Sequence, residues 1–312
     1  MRSMRPFELP DQSSVLSLGA RPLATEPVIV VDAPTYGAVV ASKTRILAED
    51  QPYYFQALPV SRDAQWEVIE LLLPELTRTY PDYFQLEQQH EQWVWFNRLL
   101  NQRTSFTLGD ETTLPYPPLD WLGRQLHEDL LLLMGEAEGF LLVAGQLCFA
   151  NHWCLGDKIG HPLLAIHDPV PGYAEQVGRQ SDLLLARLRP GRPVWRRNWS
   201  ISVSPELNLA PRFSAMLAER KAAVTATNAG ACCFYRSERQ VLMRLPRSGA
   251  ILFTIYTDVA PIALMAADSH WAARLLHMLR SMPPALLAYK GVSPYAAALC
   301  AYLERKADLD AC

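Results

Sequence analysis

Two runs rich in apolar and β-branched residues, 240–245 and 250–257, are separated only by Pro246, Arg247, Ser248 and Gly249. Pro and Gly in so short a link turn a chain back on itself, so the pattern predicts an antiparallel hairpin. A hairpin is not stable alone, and the rest of the chain must cover at least one of its faces. Upstream, 140–149 reads as one or two short strands and 193–203 as another. Between them, 151–188 carries a helical pattern broken by Pro169, Pro171 and Gly172, with 174–188 its best helix.

The centre therefore runs strands, helices, strand, hairpin. That order predicts an α+β fold, with a PAS-like antiparallel sheet and helices on one face. The flanks read as follows. The first sixty residues look extended or looped. Residues 66–76 have the spacing of a helix that Pro74 kinks or divides. A second helix is expected over 91–101, a loop over 104–118, and a helix over 119–134. Further helices are expected over 206–221, 267–282 and 294–306. The domain organisation that follows is an extended and helical region packing on the core (1–118), a PAS-like core (119–260), and C-terminal helices (261–312). The core is thus embedded in additional N- and C-terminal helices.

A formal net charge of −3 gives no large basic field, which argues against nucleic acid and anionic membrane as partners. The most apolar long stretch, 130–153, is broken by Glu136 and Glu138, so no membrane span is expected. No apolar run follows residues 1–7, so a secretory signal is not expected either, and a cytoplasmic location is the natural expectation. The six cysteines form no C-x-x-C pair, which points to reduced thiols rather than zinc or iron–sulfur ligands. There is no G-x-G-x-x-G, no G-x-x-x-x-G-K-[ST], no H-E-x-x-H and no G-x-S-x-G. A redox enzyme built on this chain would have to receive its electrons from outside.

The densest informative stretch is 148–173, CFANHWCLGDKIGHPLLAIHDPVPGY, with three of the seven histidines, His152, His161 and His167. His167 has the best setting. Leu163, Leu164, Ala165 and Ile166 precede it, and Pro169-Val170-Pro171 follow. A rigid, apolar surrounding suits an iron ligand, and it equally suits a buried structural histidine.

This stretch resembles the signature region of the haem-dependent oxidative N-demethylase alpha-subunit family. The resemblance rests on Cys148, Phe149, Trp153, Lys158, Gly160, Ile166, His167, Pro169, Val170 and Pro171, with Ala150 where the family usually has Pro. Other blocks agree in order: Glu128-Asp129-Leu130, Asn198-Trp199-Ser200, Glu238-Arg239-Gln240 through Arg244-Leu245-Pro246, and Tyr289-Lys290-Gly291.

The resemblance implies a PAS-like domain that holds non-covalent haem b on a histidine. His167 comes first as the metal ligand and His161 second. It also implies O2-dependent oxidation of a small or biosynthetic amine, with electrons from NADPH through separate flavin and iron–sulfur partners. A haem-binding PAS-like sensor without turnover is the alternative. Arg239, Arg244 and Lys158 are candidates to meet the haem propionates, although the two arginines would equally pair with neighbours on a strand face. Trp153 and Trp199 could wall the pocket or be plain core. For a protonated amine the candidate groups are Glu128, Asp129, Tyr256 and Asp258.

Overall fold

The computed structural model describes residue 9 and residues 18–136 and 139–307. The N-terminal half supplies β1 (Arg21–Pro22), α1 (Ala33–Tyr54), β2 (Phe55–Ala57), α2 (Arg62–Thr79), β3 (Phe84–Gln89), β4 (Gln92–Asn97), β5 (Gln102–Thr107) and α3 (Pro118–Gly123). Next come β6 (Asp129–Glu136) and β7 (Gly139–Gln146). A helical excursion follows, containing α4 (Leu163–Ile166), a π-helical turn (Ala174–Gly178) and α5 (Arg179–Arg187). After β8 (Val194–Ser202) the chain forms α6 (Ser214–Ala222), α7 (Ala229–Cys232), β9 (Phe234–Arg244) and β10 (Ile251–Pro261). It ends in α8 (Ile262–Met265), α9 (Ser269–Ser281), α10 (Pro284–Tyr289) and α11 (Ala296–Ala307).

Seven strands form one sheet in the order β1-β8-β9-β10-β6-β7-β2, and every neighbouring pair is antiparallel. The expected hairpin is β9–β10, longer than the sequence pattern indicates. Its turn is held from outside: the Arg247 and Ser248 N–H groups donate to the two carboxylate oxygens of Glu67 on α2 at 2.6 and 2.9 Å. β3, β4 and β5 form a separate antiparallel meander.

The strand period of two sorts the main sheet into two faces. One presents Leu130, Leu132, Val143, Val241, Met243 and Leu252, and the N-terminal helices and meander cover it. The other presents Leu131, Leu133, Leu142, Leu242, Ile251 and Ile255, and the excursion between β7 and β8 covers that one. A third cluster packs α9 and α11 against Trp199, Ile201 and Tyr235 at the far end of β8 and β9.

Four local expectations are corrected. Residues 33–54 are helical rather than extended, with Pro34 in the first turn and a kink at Asp50 just before Pro52. The buried stripe of this helix, Tyr36, Val40, Lys43, Ile46 and Leu47, includes a lysine, so apolar spacing alone underweights it. Pro74 lies within α2 without dividing it, because Val68, Ile69, Leu72, Leu73 and Leu76 anchor the helix on both sides. Residues 92–97 form a strand, not a helix. Trp93, Trp95 and Asn97 are buried in strict alternation. The helix expected over 119–134 stops at Gly123, and 129–136 is a strand. Its run Leu130–Leu133 is apolar throughout because β10 and β7 flank it and both faces are covered.

Candidate functional site

The excursion lies over the sheet face that carries Leu131, Leu242 and Ile255, and His167 sits at the C-terminal end of its first helix. Pro162 starts α4 and bridges to Leu141 of β7, which fixes the helix against the sheet edge. One turn later the imidazole folds back on its own helix, and Nδ1 lies 2.9 Å from the Leu163 carbonyl oxygen. A carbonyl only accepts, so Nδ1 carries the proton and Nε2 keeps its lone pair. Lys158 donates to the Ile166 carbonyl at 2.7 Å and satisfies the end of the same short helix. The Pro-Val-Pro-Gly segment then reverses the chain, with Gly172 at φ 74°, and brings Tyr173 back to stack on the His167 ring at 4.3 Å and 10°. Burial, with the nearby Arg196 and Lys158 charges, holds the imidazole below its ordinary value, so it is neutral at pH 7.

Opposite the excursion, alternation on β8 turns Val194, Arg196, Asn198 and Ser200 to one face and Trp195, Arg197, Trp199 and Ile201 to the other. The register pairs Arg196 with Gln240, Asn198 with Glu238 and Ser200 with Arg236, so all six share the excursion-facing side. These side chains form a hydrogen-bonded network. Glu238 accepts from Arg236 Nε at 3.2 Å, Asn198 Nδ2 at 3.2 Å and Gln240 Nε2 at 3.0 Å. Arg236 is fully buried, and it also donates to the Leu207 carbonyl (2.7 Å) and to the Phe149 carbonyl. Lys290, at the end of α10, donates to the Trp199 carbonyl at 2.9 Å and lies over the Trp199 ring.

Of the residues singled out from sequence, Trp153 packs on the same apolar cluster as Leu163 and Ile166. His161 is exposed. Arg244 donates from all three guanidinium nitrogens to main-chain carbonyls, those of Leu188 (2.8 Å), Gly249 (2.7 Å) and Leu185 (2.7 Å), and ties α5 to the hairpin turn. Arg239 lies on the opposite face and donates to the Pro27 and Val28 carbonyls. Tyr256 and Asp258 are across from Arg239 and Ser237 on that opposite face, and Tyr256 stacks near His127. Glu128 is fully buried there as well. One oxygen accepts from Val30 N–H at 2.7 Å, the other has no hydrogen-bond partner, and burial pushes its carboxyl up to about 7. Asp129 accepts from the Cys148 and Phe149 N–H groups and faces the fully buried Lys43 at 3.4 Å, which anchors the turn out of β7. The structure thus brings His167 and Lys158 together, sets Trp153 on the apolar cluster that Ile166 also joins, and puts Arg239, Glu128, Tyr256 and Asp258 across the sheet. Trp199, like Arg239, points away from the excursion.

Sequence reasoning missed Arg196, and it noted Glu238, Asn198 and Lys290 only as members of motif blocks. The signal was available in the alternation of V-W-R-R-N-W-S. Once that segment is a strand, Arg196 and Asn198 must share a face with each other and not with Trp195 or Trp199.

Among the described residues there is no cluster of three or more His, Cys, Asp or Glu side chains able to hold a metal ion. A lone neutral imidazole suits a metal that brings its other ligands with it. The chain matches the family model described as haem-dependent oxidative N-demethylase, alpha subunit-like, over residues 19–300. It belongs to that family. In this haem-dependent oxidative N-demethylase, alpha subunit-like chain, the residues around His167 fit the group the family name specifies. The Nδ1 bond leaves the Nε2 lone pair unused, Trp153 and Ile166 pack on the apolar cluster next to this segment, Tyr173 stacks on the ring, and the buried Nε of Arg196 has no partner. Among the described residues no helix is long and apolar enough to cross a membrane.

Proposed function

We propose that this chain binds haem b without a covalent link, with His167 as the residue that would hold its iron, and uses it to oxidise a small or biosynthetic amine. The observation that carries this reading is the His167 hydrogen bond to Leu163, which fixes the tautomer and aims Nε2 away from the main chain. When bound, haem supplies oxygen activation and one-electron chemistry, and the protein supplies ligation, orientation and electrostatics.

Within this reading, each nearby residue has a definite task. His167 holds the metal and is kept neutral by burial. Tyr173 fixes the plane of the imidazole by stacking on it. Trp153 and Ile166 keep water out from the excursion side. Lys158 secures the helix end that carries His167. The polar floor on β8 and β9 is pre-organised by the bonds that converge on Glu238, so it does not need to rearrange during turnover.

The PAS-like reading is supported by strand order. Of the five central strands, the sheet reads second, first, fifth, fourth, third, and the helical excursion lies between the second and the third. The words "alpha subunit" in the family description support the view that electrons arrive from partner proteins. A flavin and iron–sulfur donor drawing on NADPH fits the lack of any dinucleotide fingerprint in this sequence.

The test is the absorption spectrum of the purified protein, and of His167→Ala and His161→Ala. A Soret band that is lost or strongly shifted only in His167→Ala is expected, followed by aldehyde release from a secondary amine when a reductant and O2 are supplied. A wild-type protein that takes up no haemin on reconstitution overturns the reading.

A further inference from the structure

Arg196, half-buried, differs from the other arginines described above. Arg236, Arg239 and Arg244 are bound to carbonyls or carboxylates. The Arg196 guanidinium forms no hydrogen bond or ion pair among the described residues, and its Nε is buried without a partner. Lys290, close enough to feel the Arg196 charge, donates only to the Trp199 carbonyl. Glu238 is the one carboxylate that acts on both, and it is already engaged by Arg236, Asn198 and Gln240.

We propose that Arg196, on the sheet face toward His167, and Lys290, held at the main chain of Trp199 on the same strand, form a binding site for a carboxylate. A half-buried cation whose inner N–H is closed to solvent and has no partner is costly, and a ligand that completes the pair removes that cost. Two cations beside one shared, already saturated carboxylate leave net positive charge and unused N–H donors. An Arg fork matches the two oxygens of a carboxylate, and a lysine adds a point charge. Burial holds both groups below their ordinary values, and at Lys290, pulled down to about 8, the Arg196 charge adds to it. An incoming anion opposes the shift at each. The carboxylate has two sources, a propionate of the cofactor or an acid group on the amine substrate. The first source rests on the haem reading above, and the second stands without it.

The experiment uses the full chain with Arg196→Met, Lys290→Met and, as a conservative control, Arg196→Lys. Thermal melts of the protein without haem come first. A guanidinium with no partners supports nothing in the fold, so Arg196→Met should melt at or above the wild-type temperature. A melt well below wild type for both Arg196→Met and Arg196→Lys identifies a structural arginine and overturns the proposal. Titrations with haemin and with haemin dimethyl ester, followed at the Soret band, then test the propionate source. Wild type should prefer the free acid by about tenfold or more, a preference lost in Arg196→Met and largely kept in Arg196→Lys. Calorimetry with N-methylglycine and with dimethylamine on the protein as purified tests the substrate source. Saturable binding of the first only, abolished in Arg196→Met, assigns the carboxylate to the substrate. Failure of wild type to take up haemin sinks the haem reading but leaves the calorimetric arm intact. If neither preference for an acid exists in wild type, or if both survive in Arg196→Met and Lys290→Met, there is no carboxylate site here.

Discussion

The imidazole of His167 donates from Nδ1 to the carbonyl oxygen of Leu163, four residues back on the same short helix, at 2.9 Å. This bond, rather than the mere presence of a histidine, decides what the side chain can do. It selects one tautomer, points Nε2 outward, and ties the ring to a helix whose last carbonyl is satisfied by Lys158.

A pH dependence follows from the same burial. The ordinary value of 6.5 is lowered at His167, so protonation, which competes with iron for the ring, is postponed to more acid solution. The benefit of the neutral ring is complete above 6.5 and is lost as pH falls through the lowered value. The Soret band of the haem-loaded protein should therefore be constant from pH 8 to about 6.5 and bleach only well below it. Acid titration followed by absorbance measures this, and a midpoint at or above 6.5 contradicts the assignment.

Glu128 gives the opposite sign. Its carboxyl is raised from 4.5 to about 7 by complete burial. The unfolded chain binds fewer protons in that window, so stability is greatest below 4.5 as far as this group is concerned and falls as pH rises through about 7. Glu128→Gln keeps an acceptor for the Val30 N–H without the charge. It should flatten this dependence and be more stable than wild type at pH 8, by on the order of 3 kcal/mol at most. Urea melts at pH 5.5 and pH 8 compare the two proteins, and equal pH slopes in both refute the point.

Arg244 binds the Leu185, Leu188 and Gly249 carbonyls with one planar group, and so holds α5 to the hairpin turn. A lysine cannot span three acceptors set for a fork. Arg244→Lys should cost roughly 1–3 kcal/mol in unfolding free energy, and haemin affinity should stay near wild type below the melting temperature. Loss of affinity without loss of stability would instead give Arg244 a direct part in haem binding.

The hairpin, the strand 194–202 and the broken helices before it were legible because turn residues punctuate them and β-branched or aromatic residues fill the strands. Leu130–Leu133 was not legible. A short, wholly apolar run has no period, and only its position between β10 and β7 makes it a strand. Residues 92–97 were misread because three closely spaced aromatics satisfy a helical stripe, while Asn97, the buried residue that completes the alternation, counts as polar. In the site, the motif around His167 includes Lys158, which the fold ties to the helix that carries His167. That Arg239 lies across the sheet from His167 was not legible, because residue type is visible in sequence and facing is not. Arg239 and Glu238 are adjacent in the chain and lie on opposite sides of the sheet.

The pairing scheme also sets when this protein can be made. β6 lies in the middle of the sheet, yet its partner on one side is β10, so Asp129 waits for Ile255. The clasp of Arg239 on Val28 joins residues 211 apart. A nascent chain emerging from a ribosome therefore carries the His167 excursion long before there is a floor to set against it. Such distant closures slow folding and leave apolar strands uncovered in the interval. Expression yield should respond more to slower growth temperature and chaperone supply than to the amount of haem available.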